Sequence, residues 1–367
     1  MFEYPALVVW GGIERVWVDR MNQLVCLYDY EVYLLTYNQG KHPIPYPLDR
    51  RVYHIDLNVQ THHRYSYHGL KRLWDGFCRQ VRLYKRMKKA IVNIRPDIIV
   101  TPTIGDVSLL LRIKGQIPLV VESHSGFDHL IEFEYDRWIN QFKIRRCAHL
   151  IHKANAIMSL TESDAQKWRL KYKRVYVIPN TAHLNPHGRY SSGEHKRVIF
   201  VGRIAKQKGI PELIAVWRLV HERYPDWVLD VYGEGDSGCF PQEDIGLNVH
   251  EPISDIFSEY IDSSMLLLTS VYEPFGLVIP EAMSCGLPVV AFESDGPCDI
   301  ITDGEDGFIV HERDVEVFAN RVCQLIEDKQ LRQRMGRNAI QSAQRYAPEH
   351  IMPMWKQFYE TLSSVVP

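Results

Sequence analysis

Two glutamates eight residues apart, Glu273 and Glu281, stand in the stretch Ser270-Val-Tyr-Glu273-Pro-Phe275-Gly276-Leu277-Val-Ile-Pro280-Glu281, which runs on to Gly286-Leu-Pro288. Carboxylates accept hydrogen bonds from hydroxyls, so this pair suits a polyhydroxylated ligand. An apolar run, Met265 to Thr269, reads as the strand that leads to the first glutamate. A short helix carries the second and stops at Gly286, with Pro288 just beyond. The turn between them, Phe275 to Leu277, offers backbone N–H groups at a helix start, where phosphate is well held. Deep inside a helix Pro280 would cost about 3 kcal/mol, so it is expected in the first turn.

A second group of candidates precedes this one: Arg197-Val-Ile-Phe-Val201-Gly202-Arg203-Ile-Ala-Lys206-Gln-Lys208-Gly209-Ile-Pro211. It reads as strand, tight turn and helix, with Pro211 near the first helical turn. Arg203 and Lys208 are where an anion-binding loop would put its cations. A departing diphosphate gathers negative charge, and two fixed cations stabilise it. Gly11-Gly12 reads either as a simple turn or as a place where backbone must approach a ligand with no Cβ in the way. His124, in Glu122-Ser-His124-Ser-Gly126, follows a strand. Gly233-Glu-Gly235-Asp-Ser-Gly238 matches a dinucleotide fingerprint formally, but Cys239-Phe-Pro241 cannot open the helix that fingerprint needs. It is read as a turn rimming a nucleotide site.

The elements around these residues alternate between strands and amphipathic helices, which argues for an α/β class with parallel sheets. Strands are expected at Glu31–Thr36, Val52–Leu57, Asp97–Thr101, Leu119–Glu122, Ala156–Leu160 and Val175–Ile178. Further strands are expected at Val198–Val201, Val228–Tyr232, Met265–Thr269, Pro288–Phe292 and Gly307–Val310. A polar, turn-rich break at Asn180 to Glu194 separates two doubly wound, Rossmann-like domains, 1–185 and 190–347. The candidate residues then lie beyond the carboxyl ends of strands, facing a central cleft, where open α/β sheets bind ligands.

The 367 residues carry a net charge of −2, which conceals a split. Residues 1–190 hold 28 Lys and Arg against 17 Asp and Glu, and the remainder hold 15 against 28. The helical period of Leu70, Leu73, Trp74, Phe77, Val81, Tyr84, Met87, Ile91 and Ile94 predicts a helix packed on the first sheet. Its other side carries Lys71, Arg72, Arg79, Arg82, Lys85, Arg86, Lys88 and Lys89, echoed later by Lys143, Arg145, Arg146 and Lys153. Such a face is a solvated surface or a site for anionic lipid. No nucleic-acid motif accompanies it. There is no signal peptide, no apolar run long enough to span a bilayer, no metal-ligand spacing and no D-x-D. The seven cysteines are scattered, as in reduced cytoplasmic proteins.

The motifs Gly11-Gly12-Ile-Glu14-Arg15, Val201-Gly202-Arg203 with Lys208-Gly209, Val231-Tyr-Gly233-Glu-Gly235, the Glu-x7-Glu block, Gly286-Leu-Pro288 and Asp303-Gly304-Glu-Asp-Gly307 occur in this order. Together they resemble glycosyltransferase family 4, retaining enzymes of the GT-B fold that serve bacterial polysaccharide and glycan biosynthesis. The resemblance implies a nucleoside-diphosphate sugar donor, expected to be UDP-linked, and a hexose moved to a hydroxyl of a lipid-linked glycan acceptor, with no metal cofactor. It implies Glu281 on the ribose, Glu273 and His124 near the transferred sugar, and Arg203 and Lys208 on the diphosphate. Gly12, Gly202, Gly233, Phe275, Gly276 and Leu277 complete the donor site. It also implies that the last helix, 348–367, crosses back onto the first domain. A cytoplasmic enzyme held peripherally on the inner face of the membrane follows. Two rivals stand beside this reading: a UDP-sugar 2-epimerase on the same fold, and a non-catalytic glycan-assembly subunit. Family members open with a strand before the glycine turn, whereas here Pro5 leaves little room for one. Either the start lies too far downstream or the first strand is unusually short.

Overall fold

The structure is a computed structural model and describes residues 1–102, 104–128 and 149–364. Lys143, Arg145 and Arg146 lie outside these. The chain divides into two compact units. One comprises Met1–Leu160, Asp164–Ile178 and the chain from Met352 onward; the other comprises Thr161–Ser163 and Pro179–Ile351.

The first unit holds a parallel sheet in the order β3-β2-β1-β4-β5-β6-β7. Its strands are β1 (Phe2–Glu3), β2 (Tyr33–Thr36), β3 (Tyr53–Asp56), β4 (Ile99–Thr101), β5 (Leu119–Ser123), β6 (Ala156–Ser159) and β7 (Val175–Val177). The strand before the glycine turn is therefore present but only two residues long, pairing Phe2 with Leu34 on one side and Val100 on the other. Being central, it is hydrogen-bonded on both edges despite its length. Helix α1 (Gly12–Tyr28) follows, and α2 (Gly69–Ile94) and α3 (Ile104–Ile113) come later. Leu35, Ile99, Leu119 and Val121 of the strands pack with Met87, Ile91, Val107 and Leu110 of α2 and α3.

The apolar stripe of α2 does not pack along its whole length, contrary to the periodicity. Leu83, Met87 and Ile91 are buried, but Leu70, Leu73, Trp74 and Phe77 remain 84, 70, 70 and 61% exposed. Periodicity defines a face; it does not supply a surface to cover it. Two of the basic residues have structural work. Arg79 pairs with Asp75 and donates to the Val59 and Gln60 carbonyls, and Arg86 donates to those of Leu57 and Asn58. They tie down a loop in which Asn58 and Gln60 hold positive φ.

The second unit repeats the scheme with a parallel sheet ordered β10-β9-β8-β11-β12-β13. Its strands are β8 (Arg197–Val201), β9 (Val228–Tyr232), β10 (Leu247–His250), β11 (Met265–Leu268), β12 (Val289–Phe292) and β13 (Gly307–Val310). β10 is an edge strand that the sequence did not announce. Its Leu-Asn-Val-His is half polar and makes no apolar run. Between Gly238 and β10 there is only one 3-10 turn, Ser237–Cys239, so no helix opens behind the glycines. Helix α4 (Ile210–Arg223) packs Leu213 and Trp217 against Phe200, Leu229 and Val231. Helix α5 (Val278–Ser284) carries Pro280 at its third position, where a missing N–H costs nothing. It ends in a Schellman pattern: Gly286 has φ +88°, and the N–H groups of Gly286 and Leu287 reach the carbonyls of Met283 and Ala282. The last helix, α6 (Pro348–Ser364), belongs with the first unit from Met352 on, where Trp355 meets Arg20 of α1 and Phe358 meets Tyr176 of β7.

Candidate functional site

In the second unit the strand order reverses between β8 and β11, and a doubly wound sheet opens its ligand crevice at that reversal. The loops leaving these two strands carry the cations and the first glutamate. The β8 loop is shaped by Gly209, whose φ of +64° no branched side chain tolerates and whose Cβ would stand 2.0 Å from the Thr269 carbonyl oxygen. Thr269 returns a hydrogen bond from Oγ1 to the Lys208 carbonyl, and Val271 N–H donates to Gln207. Loop is thus clamped to loop through main chain. Lys208 and Glu273, far apart in sequence, meet as a consequence. Lys208 Nζ lies 2.5 Å from Glu273 Oε2, with side chains 15 and 9% exposed.

Glu273 is held on every side. Ser270 Oγ donates to its carboxylate at 3.1 Å, its N–H donates to Ser294 Oγ at 2.7 Å, and its carbonyl accepts from Gly296 N–H at 2.8 Å. Arg313 donates to the carbonyls of Thr269 and Ser270 and pairs with Glu212. Sequence reasoning missed Ser270, Ser294 and Arg313; the serines stood unweighed beside the motif, and Arg313 carried no local signal. Gly276, at φ +85°, makes the turn into α5, and Glu281 is buried on that helix. Phe275 is buried against Tyr346, so its side chain is structural. Arg203 is exposed and makes no hydrogen bond or ion pair with the described residues.

Behind Arg203 the β8 and β9 turns touch backbone to backbone. A Cβ on Gly233 would meet the Gly202 carbonyl oxygen at 1.9 Å. Beside them lies a cavity of about 340 Å³ bordered by Ile204, Gly233, Gly235, Phe240, His250 and Glu251. His250 is stacked on Tyr232 at 4.6 Å and bonded through Nε2 to Asp230. Asp230 also takes Arg197; although burial opposes ionisation, these partners hold its carboxyl below the usual range. No group of three or more metal-ligating side chains occurs among the described residues.

In the first unit the sheet order reverses between β1 and β4. Gly12 opens α1, and a Cβ on Gly11 would meet Glu14 Oε2 at 2.2 Å. His124 follows β5, but its side chain is only 3% exposed and its Nε2 lies 2.8 Å from Glu122 Oε2. The same oxygen takes Arg20 at 2.7 Å and Trp17 Nε1 at 2.9 Å. Burial would raise the Glu122 carboxyl, but Arg20 and His124 bring it down to about 2. Asp164 braces the turn after His124, accepting from Phe127 N–H and from Ser159. Glu3 of β1 and Asp106 of α3 are buried acids; burial and the Asp106 charge raise Glu3, and burial pushes Asp106 up to about 6.

Two family models match in tandem: Glycosyltransferase Family 4 over residues 10–185 and Glycosyl transferases group 1 over residues 189–342. The chain belongs to the family 4 type of glycosyltransferases. Its fold is GT-B, and it is a transferase of sugars. The amylovoran biosynthesis glycosyltransferase AmsD of Erwinia amylovora is 27% identical over 361 residues, covering 94% of this chain and 95% of that protein. Among solved structures, sucrose-phosphate synthase from Thermosynechococcus elongatus superposes with TM-score 0.77 at 18% identity, over 99 and 98% of the two chains. HepE of Anabaena, solved in complex with UDP, gives 0.72 at 18% identity over 99% of each chain.

Proposed function

We propose that this glycosyltransferase is a retaining hexosyltransferase that uses a UDP-sugar and a lipid-linked glycan acceptor in surface polysaccharide biosynthesis. The observation that carries the reading is the Lys208–Glu273 pair at the β8/β11 reversal, with the exposed Arg203 in the same loop unpaired among the described residues. The acceptor hydroxyl attacks the anomeric carbon from the face the diphosphate leaves. The C–O bond to phosphate breaks, and a phosphate oxygen takes the acceptor proton. Arg203 and Lys208 stabilise the departing diphosphate, Glu273 holds the sugar hydroxyls and Glu281 the ribose. The cavity beside Gly233 and His250 receives the base. UDP is carried over from HepE, and polysaccharide synthesis from AmsD. Protein cations supply the charge in this reading, so turnover persists in EDTA.

The experiment is a calorimetric screen of UDP-sugars, followed by transfer to a lipid-linked acceptor and NMR of the new linkage. Retention of the donor's anomeric configuration is expected; inversion refutes the mechanism. Conversion of a UDP-sugar without acceptor would instead identify an epimerase, and donor binding without turnover an assembly subunit.

The same reading places the first unit on an anionic membrane, at the inner face where the acceptor is embedded. No helix among the described residues is long and apolar enough to cross a membrane. The support is α2, with exposed Leu70, Leu73, Trp74 and Phe77 beside exposed lysines, the pattern of a helix lying in the headgroup plane.

A further inference from the structure

The imidazole of His250 is fixed both in its plane and in its rotation within that plane. The ring stacks on Tyr232, with centroids 4.6 Å apart and planes 15° from parallel. Tyr232 is itself held at its hydroxyl, which accepts from Arg197 at 2.8 Å and donates to Glu259 at 2.7 Å. Within the plane, His250 Nε2 lies 2.7 Å from Asp230 Oδ1. Asp230 is only 4% exposed, and its carboxylate also takes Asn248 Nδ2 at 3.1 Å and the Arg197 guanidinium. Those nitrogens can only donate, so the Asp230 oxygens are acceptors. The neutral His250 ring therefore carries its proton on Nε2 and its lone pair on Nδ1. No partner for Nδ1 occurs among the described residues. The side chain is 38% exposed and borders the cavity beside Gly233, all of whose lining residues belong to the second unit.

We infer that His250 is a specificity-determining residue that offers Nδ1 as a hydrogen-bond acceptor to a nucleobase, and that Asp230 positions it by fixing the tautomer. The base so selected carries a ring N–H, as uracil does at N3. Cytosine has a lone pair at the same place, which would oppose that of Nδ1. The inference rests on the proposed placement of the base in this cavity. The hydrogen bond at one imidazole nitrogen decides which nitrogen is left unprotonated. A site built to bond an N–H discriminates against the analogue lacking it, because a polar group is then left unpaired.

The test uses the full chain. With 15N-histidine labelling, long-range proton–nitrogen correlation at pH 8 reports the tautomer of each ring, and the pattern missing from His250→Phe assigns residue 250. A proton on Nε2 alone is expected; a proton on Nδ1 overturns the inference. Calorimetry then compares UDP with CDP, whose bases differ only at N3 and C4. UDP should bind the wild type roughly 10–100-fold more tightly, and should shift the Nδ1 resonance of His250. His250→Phe keeps a ring to stack on Tyr232, and should bring the two affinities together by weakening UDP. In Asp230→Asn the amide can donate or accept, so mixed tautomers and a smaller UDP preference are expected; an unchanged tautomer and preference overturn the positioning role. Should the Arg197 charge left behind prevent that variant from folding, the wild-type tautomer, the UDP-to-CDP ratio and its loss in His250→Phe still decide. Equal binding of UDP and CDP to the wild type, or a preference that survives in His250→Phe, overturns this inference and leaves the UDP-sugar reading standing. Binding of neither nucleotide overturns that reading, and the inference with it.

Discussion

Replacing Trp74 and Phe77 by serine separates the two forces that would hold α2 on a membrane. Full burial of a large apolar side chain is worth about 1.5–3 kcal/mol, so sinking roughly half of four mostly exposed ones gives ~3 kcal/mol. The exposed Lys71, Lys85, Lys88 and Lys89 add ~1 kcal/mol each near anionic lipid. Charge dominates at low salt, but the Debye length shrinks from about 8 Å at physiological salt to about 3 Å at 1 M. The apolar part survives that screening. In sedimentation with anionic vesicles, the wild type should therefore bind at low salt and retain a weak residue of binding at 1 M NaCl. The serine variant loses about half of the apolar part, so its low-salt affinity should drop ~10-fold and its high-salt residue should vanish. Charge reversal should be confined to Lys85, Lys88 and Lys89, because Arg86 anchors the loop at Leu57 and Asn58. Complete release of the wild type by 1 M salt, or a variant indistinguishable from it throughout, would refute apolar insertion.

Lys208→Ala and Arg203→Ala should each lower kcat by roughly 10²–10³-fold, read in steady-state transfer assays. Lys208→Ala should also lower the urea midpoint, because it leaves the mostly buried Glu273 carboxylate unpaired, whereas Arg203→Ala should not. Gly233→Ala should yield little folded protein, since its Cβ would overlap backbone rather than a movable side chain; near-native circular dichroism and melting would contradict this. Asp106 is raised in the fold, so its contribution is fully present below about 3.8 and lost as pH rises through about 6. Asp106→Asn, which keeps an acceptor for the Tyr37 hydroxyl, should thus gain on the order of 3 kcal/mol at pH 7 relative to its effect at pH 3.5. Glu122 is depressed and runs the other way: its contribution is present above about 4.5 and lost toward 2. Urea unfolding of the wild type should show stability rising from pH 7 toward 5 and falling at lower pH; a monotonic profile would count against both assignments.

Much of the fold was legible because buried parallel strands are continuous Val, Ile and Leu runs. Val228–Tyr232 and Gly307–Val310 have the bounds expected from sequence, and most others differ by a residue or two at the ends. β1 was illegible because two residues make no pattern; its existence follows from the partners on either side, not from Phe2 and Glu3. β10 is an edge strand with polar positions, so its alternation carries little signal. At the site, Lys208 and Glu273 were each found as motif members, but their ion pair was not, since it depends on which strands are neighbours. The Glu122 cluster was missed for the same reason: Trp17 and Arg20, Glu122, and Trp355 come from three separate elements, α1, β5 and α6. The α2 stripe failed differently. Its period was read correctly, yet period says nothing about whether a neighbour arrives to bury it.

The glycines explain why this family of motifs is so sparse in chemically active side chains. Gly209 approaches the Thr269 carbonyl, Gly233 that of Gly202, and Gly296 that of Phe275, each at a distance where a Cβ would overlap. The loops at the β8/β11 reversal are therefore locked by main chain against main chain, and an amide fixed in this way loses little further entropy when a phosphate arrives. Few functional side chains are then needed: Lys208 and Glu273 hold each other in register, and Arg203 is among the exposed cations of the loop. Such a scaffold would keep the proposed donor site constant. In the proposed reading, variation between substrates then falls to exposed residues such as Glu251 at the cavity and the stripe of α2.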